Sequence, residues 1–353
     1  MSITGRRPGV LGTGAKVAGI VIVLIVALSG YYYFVSLPNS RPPSIIIFSA
    51  DAYVSESAYL GSGFANSTGA AYVTPTSAGS LALAQQIRAG AQVSDFISVS
   101  RSAVTSTYLG NRSSGWAIAF AGDQMVLAYA NATSYPPGMS SVLSAYATAR
   151  VSNSTADWKT LFGIISSGTV KVGIANPNAD PAGYRGWLVL EAAGYTYASS
   201  NQTYFSSQMM TNHGNVSGAS AAALIAPLQT GNLDFLFIYR SAAISHRLAY
   251  LTLPRQVSLG DPTLGSYYSK FTYAIATGVQ KGGAIVLFVT VPNNSTATAQ
   301  ALEFVKYLVS HTSSLNSYGL AVFSPPTLYN STAVPSEIGQ LASSGSVALG
   351  GTL

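Results

Sequence analysis

Chemistry that makes or breaks bonds has little to work with in this chain. The 353 residues include no cysteine and three histidines, His213, His246 and His311, which stand isolated with no metal-ligand spacing around them. There is no G-x-S-x-G turn and no phosphate-binding P-loop, the arrangements that activate a serine or cradle a nucleotide. An enzyme is therefore not expected. His311 ends a helical stretch, where a cation is favoured by the helix dipole. What the sequence does offer is small hydroxyl and amide residues just ahead of helical stretches. Thr76-Ser77-Ala78-Gly79-Ser80 is one such run, and Asn176 to Arg185 (NPNADPAGYR) is another. Backbone N–H groups at helix N-termini hold anions without countercharges. The same residue types are the ordinary helix caps, so these two runs taken alone fit capping as well as binding.

The elements that would position them alternate. Short β-branched or aromatic runs predict strands at Ser44 to Phe48, Ala71 to Thr74, Phe96 to Val99, Trp116 to Phe120, Met125 to Tyr129, Val170 to Ala175, Phe235 to Tyr239, Phe271 to Ile275 and Ile285 to Val291. Between them Ser80 to Arg88 predicts a helix, as does Pro181 to Ala193, with Pro in its first turn behind an Asp180 cap. Ala299 to His311 places Leu302, Val305, Leu308 and Val309 on one helical face. Strands alternating with helices predict an α/β fold with largely parallel sheets.

The N-terminus addresses the chain to a membrane. After Arg6, Arg7 and Lys16 the stretch from Val17 to Val35 carries no charge, and as a helix it spans roughly 28 Å, about one bilayer core. With basic residues on one side and Tyr31, Tyr32 and Tyr33 on the other, the positive-inside rule places Met1 in the cytoplasm and everything after Leu37 outside. Ala27-Leu28-Ser29 also fits a signal-peptide cleavage site. Anchor and cleaved signal both export the body, and without cysteine it carries no lipid on sulfur and no disulfide. Pro38, Pro42 and Pro43 make a stiff spacer.

Only 8% of residues are charged, and the net charge of +6 comes from singly scattered Lys and Arg, which is no nucleic-acid footprint. Asn-X-Ser/Thr acceptors at Asn66, Asn111, Asn131, Asn153, Asn201, Asn215, Asn293, Asn294 and Asn330 offer glycans to a charge-poor surface, although such triplets also arise by chance in a Ser/Thr-rich chain. Few carboxylates suit an acidic exterior, where Asp and Glu lose their charge.

The NP-x-x-DP-x-GYR run of Asn176 to Arg185, with Asn232 to Ala243 (NLDFLFIYRSAA), Trp116 to Tyr129 and Thr290 to Tyr318 followed by Pro325-Pro326, resembles the archaeal molybdate/tungstate-binding proteins of ABC transporters. These belong to the sulfate/molybdate class of extracellular solute-binding proteins. The likeness runs from about Ser44 to Pro335. It implies an α/β, two-lobe periplasmic-binding-protein type II fold behind an N-terminal transmembrane helix. The expected organisation is a basic cytoplasmic segment (1–16), an anchor or signal peptide (17–37), a linker (38–43), lobe I (44–118 and 251–338), lobe II (119–250) and a flexible Gly/Ser/Ala-rich tail (339–353). The resemblance further implies an oxyanion in the cleft, lobes that close on it, an ABC permease and ATPase as partners, and no cofactor.

Carried over by residue, the resemblance makes Ser80 a donor to the anion and places Asp180 and Tyr239 beside it. Asp180 becomes a metal ligand only where the oxyanion metal is directly coordinated. Two positions depart: Ala52 stands where the family has a ligand-contacting serine, and Ala221 where it has a glutamate that completes six-coordination. Ser49 and Ser220 are the substitute donors available, and Asp51 reads as a cap of the helix after the first strand, with a second carboxylate near the site as its alternative. Arg185 is expected to brace the loop and Tyr184 to serve packing. The departures keep sulfate in competition with molybdate and tungstate. They also keep open a membrane-tethered surface glycoprotein that retains the fold without a transport ligand.

Overall fold

A computed structural model describes residues 44–293 and 295–353. The expectations placed on the basic start, the apolar stretch and the proline linker lie outside the described residues. Among the described residues no helix is long and apolar enough to cross a membrane.

The isoleucine run forms β1 (Ser44–Ala50), with Ile45 and Ile47 wholly buried. Helix α1 (Val54–Thr68) stops on left-handed Gly69 and returns the chain to β2 (Ala71–Ala78), and α2 (Ser80–Arg88) leads to β3 (Asp95–Ser98). Both β2 and β3 lie parallel to β1, as crossover helices dictate. Strand β4 (Trp116–Asp123) follows, and after Gln124 alone the chain enters a second sheet as β5 (Met125–Tyr129).

The second sheet is built through α3 (Pro137–Ser152), α4 (Thr155–Ser166), β6 (Val172–Ala175), α5 (Pro181–Tyr197), α6 (Tyr204–Thr211), β7 (Asn215–Gly218), β8 (Phe235–Tyr239) and β9 (Ala249–Thr252), in strand order β7-β6-β8-β5-β9. A hairpin of β10 (Thr272–Ile275) and β11 (Gly278–Lys281) then precedes the return to the first sheet. That return comprises β12 (Ile285–Thr290), α7 (Thr298–His311), β13 (Ala321–Asn330), α8 (Ser336–Ser343) and β14 (Ala348–Leu349). The first sheet has the order β14-β13-β4-β12-β3-β1-β2.

Four expectations change. The sheets are mixed rather than largely parallel, because the returning β12 runs antiparallel to both β3 and β4, and β5 runs antiparallel to β8 and β9. The first crossing is at Gln124, beyond the expected 118/119 boundary, since β4 continues in the first sheet to Asp123. The second lobe likewise keeps β9 through Thr252, past the expected end at 250. The tail after residue 338 is not loose: it contains the end of α8 and β14, which pairs with β13 through Thr327 and Leu328.

Two crossing segments lie side by side between the lobes. The Met125 N–H donates to the Ser258 carbonyl at 2.8 Å, and the Ile285 N–H to that of Leu259 at 2.9 Å. Asp123 sits buried at this crossing and accepts from the Ser241 hydroxyl at 2.5 Å, the Gln124 N–H at 2.7 Å and the Tyr53 hydroxyl at 3.1 Å. Helix α5 is apolar nearly all round and buried along most of its length, the pattern of a core helix. Its start presses on the end of β6: a Cβ at Gly183 would overlap the Ala175 carbonyl and stand 2.8 Å from Pro177 N.

Candidate functional site

The two runs singled out in the sequence come from different lobes and meet. Helix α2 starts directly after Gly79, and α5 starts behind Asp180. The Ala82 N–H, in the first turn of α2, donates across the junction to the Ala179 carbonyl at 3.2 Å. Ser80 is wholly buried. It is the first residue of α2 rather than its cap, and its hydroxyl accepts from the Val99 N–H at 3.1 Å.

Asp180 caps α5, its Oδ1 accepting from the Ala182 N–H at 2.9 Å, while Oδ2 accepts from the Ala221 N–H at 2.8 Å. Burial, and then the neighbouring Asp51, push this carboxyl up to about 7 against the pull of both N–H bonds and of Arg185. Asp51 therefore does not merely cap, because the 3-10 turn it opens, Asp51–Tyr53, takes Ala50 as its cap residue. Its Oδ1 accepts from the Ala52 N–H at 2.8 Å. Its Oδ2 is buried with no partner in hydrogen-bond geometry, beside Ser220 and Ala222 of the second lobe. Burial raises its proton affinity too. The 220–222 turn of the second lobe thus faces an aspartate supplied by the first.

Tyr239 ends β8 wholly inside the protein. Its oxygen accepts from Arg185 Nη1 at 2.7 Å, and Arg185 Nη2 donates to the Val99 carbonyl at 2.7 Å. Val99 is consequently gripped on both backbone groups, by Ser80 of its own lobe and Arg185 of the other. Arg185 braces as expected of it, through a backbone carbonyl. It also carries a charge: the ion pairs among the described residues are Arg255 with Asp261 and Lys306 with Glu303, and no carboxylate pairs with Arg185. A buried cation without a counter-ion is costly, and an anion brought to this junction would relieve that cost. The Tyr239 ring stacks on Tyr53 with centroids 5.5 Å apart, which links the site to Asp123 at the crossing.

Ser49 is placed differently. Its hydroxyl is wholly buried and bonded within the first lobe to the Ala50 and Tyr53 carbonyls at 3.1 and 3.3 Å and to Ser57 Oγ at 2.7 Å. It ties β1 to α1. Ala52, in the turn that follows, is also buried. Sequence reasoning did not single out Val99, whose contribution is its backbone, nor Tyr53 and Asp123, which join residues far apart in the chain.

Two mixed α/β lobes joined by paired crossing segments, with helix N-termini and a buried cation meeting between them, define a solute-binding architecture. Residues 58–314 match the family model described as bacterial extracellular solute-binding protein, and the chain belongs to that family. It is 36% identical to a solute-binding protein of Sulfurisphaera tokodaii over 89% of this chain and 84% of that one. It is 35% identical to a solute-binding protein of Saccharolobus solfataricus over 87% and 78%. Among solved structures it resembles the periplasmic molybdate-binding protein of Azotobacter vinelandii, with TM-score 0.55, 16% identity and coverage of 78% of this chain and 98% of that one. It also resembles the sulfate-binding protein of Mycobacterium tuberculosis, with TM-score 0.51, 13% identity and coverage of 88% and 94%. The fold is the α/β two-lobe arrangement of periplasmic binding proteins, and the protein is an extracellular solute-binding protein, not an enzyme.

Proposed function

We propose that this protein is the receptor subunit of an ABC importer, held at the outer face of the membrane by residues 17–35, and that its solute is a tetrahedral oxyanion of the molybdate/tungstate type. The reading rests on one observation above all: the N-termini of α2 and α5 converge from two lobes on Arg185, a buried cation with no carboxylate partner among the described residues. Ser80 and Tyr239 each accept one hydrogen bond there, and no acceptor for either hydroxyl proton is found among the described residues. Both remain able to donate to an anion.

Capture needs the lobes to part. The anion then takes over the Ala82 N–H from the Ala179 carbonyl and enters beside the 220–222 turn, which faces Asp51. Asp180 is compatible with a dianion when protonated, which its elevated proton affinity permits in mild acid. Ser49 supports this site through the β1–α1 turn. With Ala221 in place of a glutamate, sulfate competes for the same cage. Exposed acceptors such as Asn66 and Asn201 are proposed to carry glycans. Isothermal titration at pH 5 with tungstate, molybdate and sulfate tests the reading: tungstate or molybdate is expected to bind more tightly than sulfate, and binding of none removes it.

A further inference from the structure

Arg185 also lines a chamber of about 690 Å³ that the oxyanion reading does not use. Its walls come from both lobes and from the β10–β11 hairpin, whose tip is fastened on two sides. The Ala276 N–H donates to Asn178 Oδ1 at 2.7 Å, and Thr277 shares a short hydrogen bond with the Tyr108 hydroxyl. Tyr273 on the same hairpin stacks on Trp187 of α5 with centroids 6.0 Å apart. The hairpin thus roofs a space between the first sheet and α5.

The chemistry of the lining is one-sided. Arg101, Arg185 and Lys281 supply three cations, and no Asp or Glu is among the lining residues. In a chain with 17 basic and 11 acidic residues that is a local concentration of one sign. Arg101 is held in place, its guanidinium 4.6 Å from the Tyr329 ring centroid and bonded to the Thr352 carbonyl. Neutral donors stand nearby on Ser102 and Gln280, and Phe288 and Phe323 add an apolar surface. A bare tetrahedral oxyanion occupies roughly the share of two or three waters, about 60–90 Å³. The chamber is several times larger and within the range of about 300–1,000 Å³ that holds organic ligands.

We propose that this chamber is a second binding site, for an organic anion that carries at least two carboxylate or phosphate groups on a short carbon skeleton. The cations take the charged groups, and the phenylalanine surface takes the carbon. The site is separate from the Ser80–Asp180–Tyr239 junction, and Arg185 is the residue common to both.

Titration of the full chain with citrate and with 3-phosphoglycerate tests the proposal and distinguishes the carboxylate from the phosphate source, with glycerol as a neutral control. At least one of the two anions is expected to bind with a micromolar Kd while glycerol does not. Lys281 is exposed, so Lys281→Gln will fold; it is expected to weaken that binding about tenfold, as loss of one charge-assisted contact does. Lys281→Glu is expected to abolish it. Lys306→Gln, in the exposed pair with Glu303 away from the chamber, is expected to leave it unchanged. Tungstate titrations on the same variants keep the two sites apart, since Lys281→Gln is expected to leave tungstate affinity intact. The proposal is overturned if neither anion binds below millimolar concentration, if Lys281→Gln binds as the parent does, or if saturating tungstate competes the organic anion away fully.

Discussion

Gly79 and Asp180 belong to different lobes, yet a Cβ built on the glycine would stand 2.7 Å from the aspartate Cα and run into the Ala179 carbonyl oxygen. Both obstacles are backbone atoms at the start of α5 and cannot swing aside. The contact is therefore a gauge of lobe approach. Gly79→Ala is expected to leave each lobe folded but hold the lobes apart, weakening tungstate binding by tenfold or more, in line with an overpacking cost of about 1–3 kcal/mol. Small-angle scattering with saturating tungstate checks this directly, because the parent should become more compact on binding and the variant should not.

Arg185 carries the second interlobe link, and its geometry uses the planar fork of the guanidinium. One arm reaches Tyr239 and the other Val99, each at 2.7 Å. Lysine has a single ammonium on a flexible stem and does not reproduce two divergent bonds. Arg185→Lys is expected to cost about 1–3 kcal/mol in urea unfolding by leaving a buried acceptor unpaired. A variant as stable as the parent would mean that the fork contributes nothing to the junction.

The parts of this site that are readable from sequence are those whose meaning is local. Asp180 before Pro181 at the mouth of a helix is a cap in any context, and Asn176 to Arg185 does fold as a strand-end turn into α5. Val99 is different: it acts through its N–H and carbonyl, so its residue type carries no trace of the role. Arg101 and Lys281 are distant in sequence and meet only because the hairpin folds over the first sheet. Strand β13 hid behind Ser324-Pro325-Pro326, which reads as a break. The pairing with β4 shifts register between Val322 and Thr327, so the prolines fall where no ladder bond is asked of them. Asp51 reads as a cap before it reads as a second carboxylate at the site, because nothing in sequence places it against the 220–222 turn.

Several buried carboxyls point to an acid-stable protein. Burial pushes Glu56 up to about 8 from 4.5 and Asp123 up to about 6 from 3.8, and it raises Asp95 well above its ordinary range. For each, the folded state holds its proton more tightly than the unfolded chain does. The stabilisation is then fully present below pH 4, and it is lost as pH climbs through about 6 to 8. Each unit of elevation corresponds to about 1.4 kcal/mol once the group must be charged. Thermal melts from pH 4 to pH 9 are expected to show Tm falling from about pH 4 to about pH 8, and Glu56→Gln should flatten part of the fall. A Tm that drops sharply between pH 6 and 3 would contradict both this and the acidic-exterior reading.

The same linkage governs the ligand through Asp180. Its carboxyl lies at the proposed anion cage with proton affinity raised to about 7. Above that pH it adds a negative charge beside a dianion and beside Asp51; below it the charge is gone and Arg185 dominates the field. Sulfate offers no open metal coordination, so for sulfate the carboxylate is purely repulsive and binding must carry a proton with it. Sulfate affinity is expected to be flat below pH 6 and to fall about tenfold per unit above pH 7. Asp180→Asn keeps an oxygen for the Ala182 N–H and has no charge to titrate, so its sulfate affinity should vary little between pH 5 and 8. Tungstate separates the two roles of the carboxylate. If Asp180 coordinates the metal, Asp180→Asn loses tungstate while gaining sulfate at pH 8; if it only repels, both anions gain together. Titration calorimetry of the parent and this one variant, at pH 5 and pH 8 with both anions, decides between them.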